Sequence, residues 1–154
     1  RMKTHPLTKD QVDSLLQRAQ TGSLATLHAD GAPYSTPIHF VYANNAIFFH
    51  GLPKGQKLEN IAHDPRVSFS VFEMQSLLLD PQEKPCDTNT QYESVILSGI
   101  AHSVEELTEK QMVLQKIIEK YTPHLAKQEM PDNMLRGTAV IRITITEITG
   151  KYYA

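Results

Sequence analysis

The strongest chemical signal in the chain is the stretch His50-Gly51-Leu52-Pro53-Lys54-Gly55-Gln56-Lys57. It leaves a β-like run and enters a helical one. Free backbone N–H groups at a helix start, with two lysines close by, form a receptor for a phosphate. Gly51 and Gly55 let backbone approach a ligand closely. His50 can donate a hydrogen bond to a phosphate oxygen or handle a proton near neutral pH. Taken alone, the pattern equally describes a surface loop with solvated lysines, which is the commoner case.

Two further stretches carry weaker signals. In Tyr34-Ser35-Thr36-Pro37-Ile38-His39-Phe40-Val41, Pro37 removes a ladder donor from a strand-like run and so implies an edge or a bulge. A bulge can turn backbone groups toward a ligand, whereas a plain edge strand needs none. In Tyr92-Glu93-Ser94-Val95-Ile96-Leu97-Ser98-Gly99, Ser94 can hydrogen-bond a ligand or simply face outward from a half-buried strand. His28, His39, His50, His63 and His102 sit on separate elements with no H-x-x-x-H or H-E-x-x-H spacing, so no metal site is expected. A G-x-S-x-G elbow and the phosphate-binding glycine fingerprints are also missing. Cys86, the single cysteine, cannot form an intramolecular disulfide and reads as an incidental loop residue of a cytosolic chain.

The elements that would position these residues are mostly short strands. Thr8 and Gln11 form a capping box, Leu7 can staple onto Val12, and Val12, Leu15, Leu16 and Ala19 recur at helical spacing, with Gly22 placed to end the helix. Runs Ser23–Ala29, Tyr34–Ala43 and Ala46–His50 follow, separated by the turn signals Asp30-Gly31 and Asn44-Asn45. Ile47 and Phe49 face one way in the third run, and Phe48 and His50 the other. Gln56–Ala62 reads as a short helix stopped by Asp64-Pro65, and Arg66–Phe72 as a fourth run. A polar segment with Asp80-Pro81 and Lys84-Pro85 leads to a fifth run, Tyr92–Ser103. Leu107, Val113, Leu114, Ile117, Ile118 and Tyr121 mark an amphipathic helix over Glu105–Tyr121, stopped by Pro123. Thr138–Thr146 is the last run, and Ile148–Ala154 a short tail. Strands joined by hairpins, without regular strand–helix alternation, point to an antiparallel barrel or strongly curled sheet.

At 154 residues the chain suits one domain, with residues 1–7 as an N-terminal tail in which Arg1 before Met2 reads as an expression remnant. A net charge of −2 and a pI near 6.4 give no global attraction to nucleic acid or to an anionic membrane. No apolar run reaches the roughly 18–20 residues that cross a bilayer. A cytoplasmic protein is expected.

In order and spacing, Gly22–Gly51, Leu52–Glu73, Tyr92–Glu106 and Ile141–Lys151 together resemble the pyridoxamine 5'-phosphate oxidase-like flavin-binding split barrels, and within them the branch of 5-nitroimidazole-resistance proteins. The resemblance implies a mainly β (α+β) fold, a six-stranded antiparallel split β-barrel with flanking helices. It also implies a homodimer with two FMN sites at the subunit interface. Backbone of the second run, at Thr36, Pro37, Ile38 and His39, would lie along the flavin ring. His50, Gly51 and Lys57, with Lys54 between them, would hold the phosphate, and Ser94 of the fifth run would reach the flavin. Vitamin B6 oxidation is not expected, because the basic and aromatic C-terminal segment of the true oxidases does not follow Lys151 here.

The function this implies is an FMN-dependent oxidoreductase. It would draw on a reduced donor such as NAD(P)H and reduce a small acceptor, for instance a nitroaromatic such as 5-nitroimidazole, with His50 as the proton-handling residue. The alternative is a non-catalytic flavin or heme binder or sensor, since related split barrels bind deazaflavin F420 or heme.

Overall fold

The computed structural model describes residues 3–154; the expected remnant Arg1 and the adjoining Met2 lie outside them. Eight strands run in chain order as β1 (His5–Pro6), β2 (Gly22–Leu27), β3 (Pro33–Ile38), β4 (Val41–Ala43), β5 (Ala46–Gly51), β6 (Arg66–Leu78), β7 (Asn89–Ser103) and β8 (Ala139–Tyr153). The helices are α1 (Lys9–Arg18), α2 (Gln56–His63), α3 (Leu107–Tyr121) and α4 (Asp132–Gly137).

Helix α1 forms where the sequence places its cap. Thr8 Oγ1 accepts the Gln11 N–H at 3.2 Å and Gln11 Oε1 accepts the Thr8 N–H at 2.8 Å. Such a cap contributes about 1 kcal/mol. Its end corrects the expectation. Ala19, in extended conformation, is the C-cap, and Gly22 instead opens β2. A Cβ on Gly22 would stand 2.1 Å from the Phe69 ring, so close packing, not helix termination, sets glycine there.

All strand pairs are antiparallel, in the order β3-β2-β6-β7-β8-β5-β4, with β1 added on β8. The sheet is not closed. Its end strands, β3 and β4, are successive in the chain and joined by His39-Phe40, so the barrel is split at that seam. Pro37 lies on the edge strand β3, where its missing N–H costs no ladder bond on the free side. Tyr121, at the end of α3, stitches the seam: its hydroxyl accepts the Phe40 N–H at 2.9 Å and lies 2.7 Å from the Gln20 carbonyl. Lys120 Nζ donates to the Phe40 carbonyl at 2.9 Å and stands 4.0 Å from the centre of the Phe40 ring.

One core cluster fills the barrel with Leu24, Phe40, Phe49, Phe69, Leu97 and Ile143 and takes in Leu15 and Leu16 of α1. A second lies outside, where Phe48 and Val140 meet Val113, Leu114 and Ile117 of α3. Strand β5 is thus covered on both faces, which explains its continuous apolar run Ala46–Phe49.

All six expected runs form strands, with three adjustments. The second run breaks at His39-Phe40 into β3 and β4. The β6–β7 hairpin reaches Leu78 and Asn89, longer than its apolar letters suggest. The expected tail after Thr146 is strand to Tyr153, paired with β7 and, at Lys151 and Tyr152, with β1. A bulge explains the misreading: Ser98 faces Glu147 and Gly99 faces Ile145, so Thr146 has no partner and the in/out alternation inverts there. Helix α4 has no counterpart in the sequence reading.

Candidate functional site

Strand β5 ends at His50 and Gly51, which pair with Val140 and Ala139 of β8. The chain then crosses Leu52–Lys54 to Gly55, the N-cap of α2, whose φ of 141° lies in a region that side chains strongly disfavour. No side chain caps α2, so its first N–H groups have no side-chain acceptor. Lys54 is exposed and Lys57 half-buried, and neither joins an ion pair among the described residues. The helix start is held from beneath: buried Asn60 donates to Thr26 Oγ1 at 3.0 Å and accepts from Gln56 at 2.7 Å, and Ile61 enters the core. Nothing lies within 4 Å of a Cβ built on Gly51. Positive charge, free N–H donors and open space therefore coincide at the end of β5.

His39 belongs to the same place. His39 lies in the break between β3 and β4, close enough to the end of β5 for its charge to act on the His50 ring. His50 keeps exposed surface, yet burial of the ring and, second, the neighbouring His39 hold its proton affinity below that of an ordinary histidine. His39 stacks on Tyr121, with ring centroids 4.6 Å apart and planes 24° from parallel. Burial raises the Tyr121 phenol and pushes Lys120 down to about 8. Pro37, Ile38 and His39 line a shallow cavity of about 310 Å³ with Thr21. Ile38 is buried and packs into the barrel core. Thr36 is half-buried, opposite Leu24.

Ser94 is not brought to this place within one chain. It lies opposite Phe72 and Lys151, so a stretch of β8 from Val140 to Lys151, roughly 35 Å of extended strand, separates its row from that of His50. Ser94 shares the outward face of the sheet with Phe72, Met74 and Ile96, which are 63%, 58% and 54% exposed. Among the described residues, no group of three or more His, Cys, Asp or Glu side chains is placed to hold a metal ion.

The sequence reading missed Lys120 and Tyr121. Tyr121 counted only as one more apolar position of a helix. The available signal was its place beside the helix stop at Pro123, where a helix end meets other elements.

A family model described as pyridoxamine 5'-phosphate oxidase matches residues 8–152. No curated protein sequence matches. Among solved structures, the chain is similar to a candidate 5-nitroimidazole antibiotic resistance protein of Bacteroides thetaiotaomicron, with a TM-score of 0.83 and 24% identity over 99% of this chain and 89% of that one. It is similar to a FAD-binding protein of Mesorhizobium loti, with a TM-score of 0.73 and 21% identity over 99% of this chain and 100% of that one. A FAD and heme binding protein of Mycobacterium smegmatis gives a TM-score of 0.85 and 18% identity over 98% and 73% of the two chains. At these identities the likeness is one of fold.

Proposed function

The chain belongs to the pyridoxamine 5'-phosphate oxidase family, and from that premise we propose that it is an FMN-dependent oxidoreductase acting as a homodimer. The observation that carries this reading is the start of α2. The N–H groups of its first turn lack a side-chain cap, Lys54 and Lys57 join no ion pair among the described residues, and the space around Gly51 is open. A phosphate monoester supplies the charge and the acceptors that this group of donors lacks.

The chain's own residues divide the remaining tasks. The free edge of β3 over Thr36–Ile38, with His39 just beyond it, offers backbone groups to the rim of a flat heterocycle, and Pro37 leaves one donor out of that row. His50, held below the ordinary histidine range, is neutral near pH 7 and accepts a proton there. Ser94 reaches the flavin of a second copy, docked through the outward face that carries Phe72, Met74 and Ile96. Bound flavin supplies two-electron chemistry between a donor such as NAD(P)H and a small acceptor, and the name of the Bacteroides protein makes a nitroaromatic the first acceptor to assay.

Titration of FMN into flavin-free protein, followed by quenching of flavin fluorescence, tests the phosphate assignment. Lys57→Ala is expected to weaken FMN binding by roughly tenfold or more, the worth of a charge-assisted contact. Unchanged affinity in that variant contradicts the assignment.

A further inference from the structure

Lys110 stands where α3 should present a hydrocarbon. It shares the buried stripe of Val113, Leu114 and Ile117 and is itself only 9% exposed. Its side chain forms no ion pair and no hydrogen bond among the described residues. Among the described residues no fully buried side-chain nitrogen lacks a partner, so the Lys110 ammonium keeps some exposed surface. Lys110 lines a cavity of about 520 Å³.

The cavity lies between α2, the end of β7, α3 and the start of β8. Leu58, Ile61, Ala101 and Ile141 give it apolar walls, and Arg136 of α4 brings a second cation. Its volume is that of a small-molecule site. A nearly buried ammonium with no hydrogen-bond partner is poorly solvated, and Arg136 brings a second positive charge to the same cavity; a bound anion supplies the missing acceptor. Glu105 lines the cavity as well, and its charge opposes a dianion. The cavity adjoins the loop after β5, since Pro53, Leu58 and Ala139, the partner of Gly51, help to line it. Its cations are nonetheless its own: Lys110 and Arg136 line it, whereas His39, His50, Lys54 and Lys57 do not.

We propose that this cavity is a second ligand site, for a small organic monocarboxylate with an apolar body, anchored by Lys110 and assisted by Arg136. Nothing in this proposal depends on the flavin reading. Calorimetric titration of the purified full chain, with whatever flavin it carries, tests it using benzoate and hexanoate against neutral benzamide. Saturable binding of a carboxylate at one site per chain is expected, with benzamide far weaker. Lys110→Met should lower carboxylate affinity roughly tenfold or more. Arg136→Gln should lower it less. FMN affinity should be unchanged in Lys110→Met, and carboxylate binding unchanged in Lys57→Ala. Methionine keeps the length and apolar packing of the stem, and Lys110→Gln serves if that variant does not fold. Equal binding of benzamide, undiminished binding in the Lys110 variant, or no saturable binding of either carboxylate overturns the proposal.

Discussion

His39, in the break between β3 and β4, lies near His50 at the end of β5, and its presence lowers the proton affinity of the His50 ring. Burial is the larger cause and His39 the smaller. In a histidine titration followed by NMR, His50 is therefore expected to have its midpoint below the ordinary value of 6.5. In His39→Gln the midpoint should rise but stay below it. The sign for stability follows: the unfolded chain takes up the His50 proton first as pH falls, so this group lowers stability progressively below about pH 6.5. A His50 midpoint above the ordinary value contradicts this geometry.

Arg18 ties α1 to the central strands. Its guanidinium bonds to Glu73 of β6 and Glu93 of β7, which face each other across the sheet. The hydrogen bond from Arg18 is the main cause that holds the Glu73 carboxyl below the ordinary range. Glu73 thus stabilises the fold fully above its unfolded pKa, and that contribution is lost as pH falls through the depressed value. Arg18→Ala leaves two facing carboxylates without their shared cation. Its urea-denaturation penalty should be largest at neutral pH and shrink in acid, where Glu73 is neutral. An equal penalty at both pH values contradicts the assignment.

Gly22 has no room for a side chain, because a Cβ there would lie 2.1 Å from the Phe69 ring. Gly22→Ala should destabilise the protein by about 1–3 kcal/mol through forced repacking of a full core. Chemical denaturation measures this directly. A neutral substitution would mean that Phe69 can move, and that the packing between β2 and β6 is looser than described.

The outward face of β6 and β7 bears on the dimer. Ile96→Glu places a charge beside exposed Phe72 and Met74. The homodimer reading expects this variant to sediment as a monomer and to lose flavin, since Ser94 would no longer reach a second copy's site. A variant that remains a dimer with full flavin content contradicts it.

Much of this was legible in the letters. The alternation of Ile47 and Phe49 against Phe48 and His50 matches the two cores on either side of β5. The capping box at Thr8 and Gln11 forms as read. What stayed hidden depended on long-range pairing. The bulge at Thr146 inverts the alternation of β8 and disguises its second half as a tail. The resemblance sends both Ser94 and His50 to the flavin, but the ladder puts them far apart in one protomer. Lys110 escapes any reading of apolar periodicity because it is charged, although it fills a core-facing position of α3.

The most direct test of the central claim is an absorbance spectrum of the purified protein, with the released chromophore identified by mass. Flavin bands and released FMN are the predicted result, with depleted flavin in Lys57→Ala. A heme Soret band without flavin, or a colourless protein that does not bind added FMN, would contradict the account.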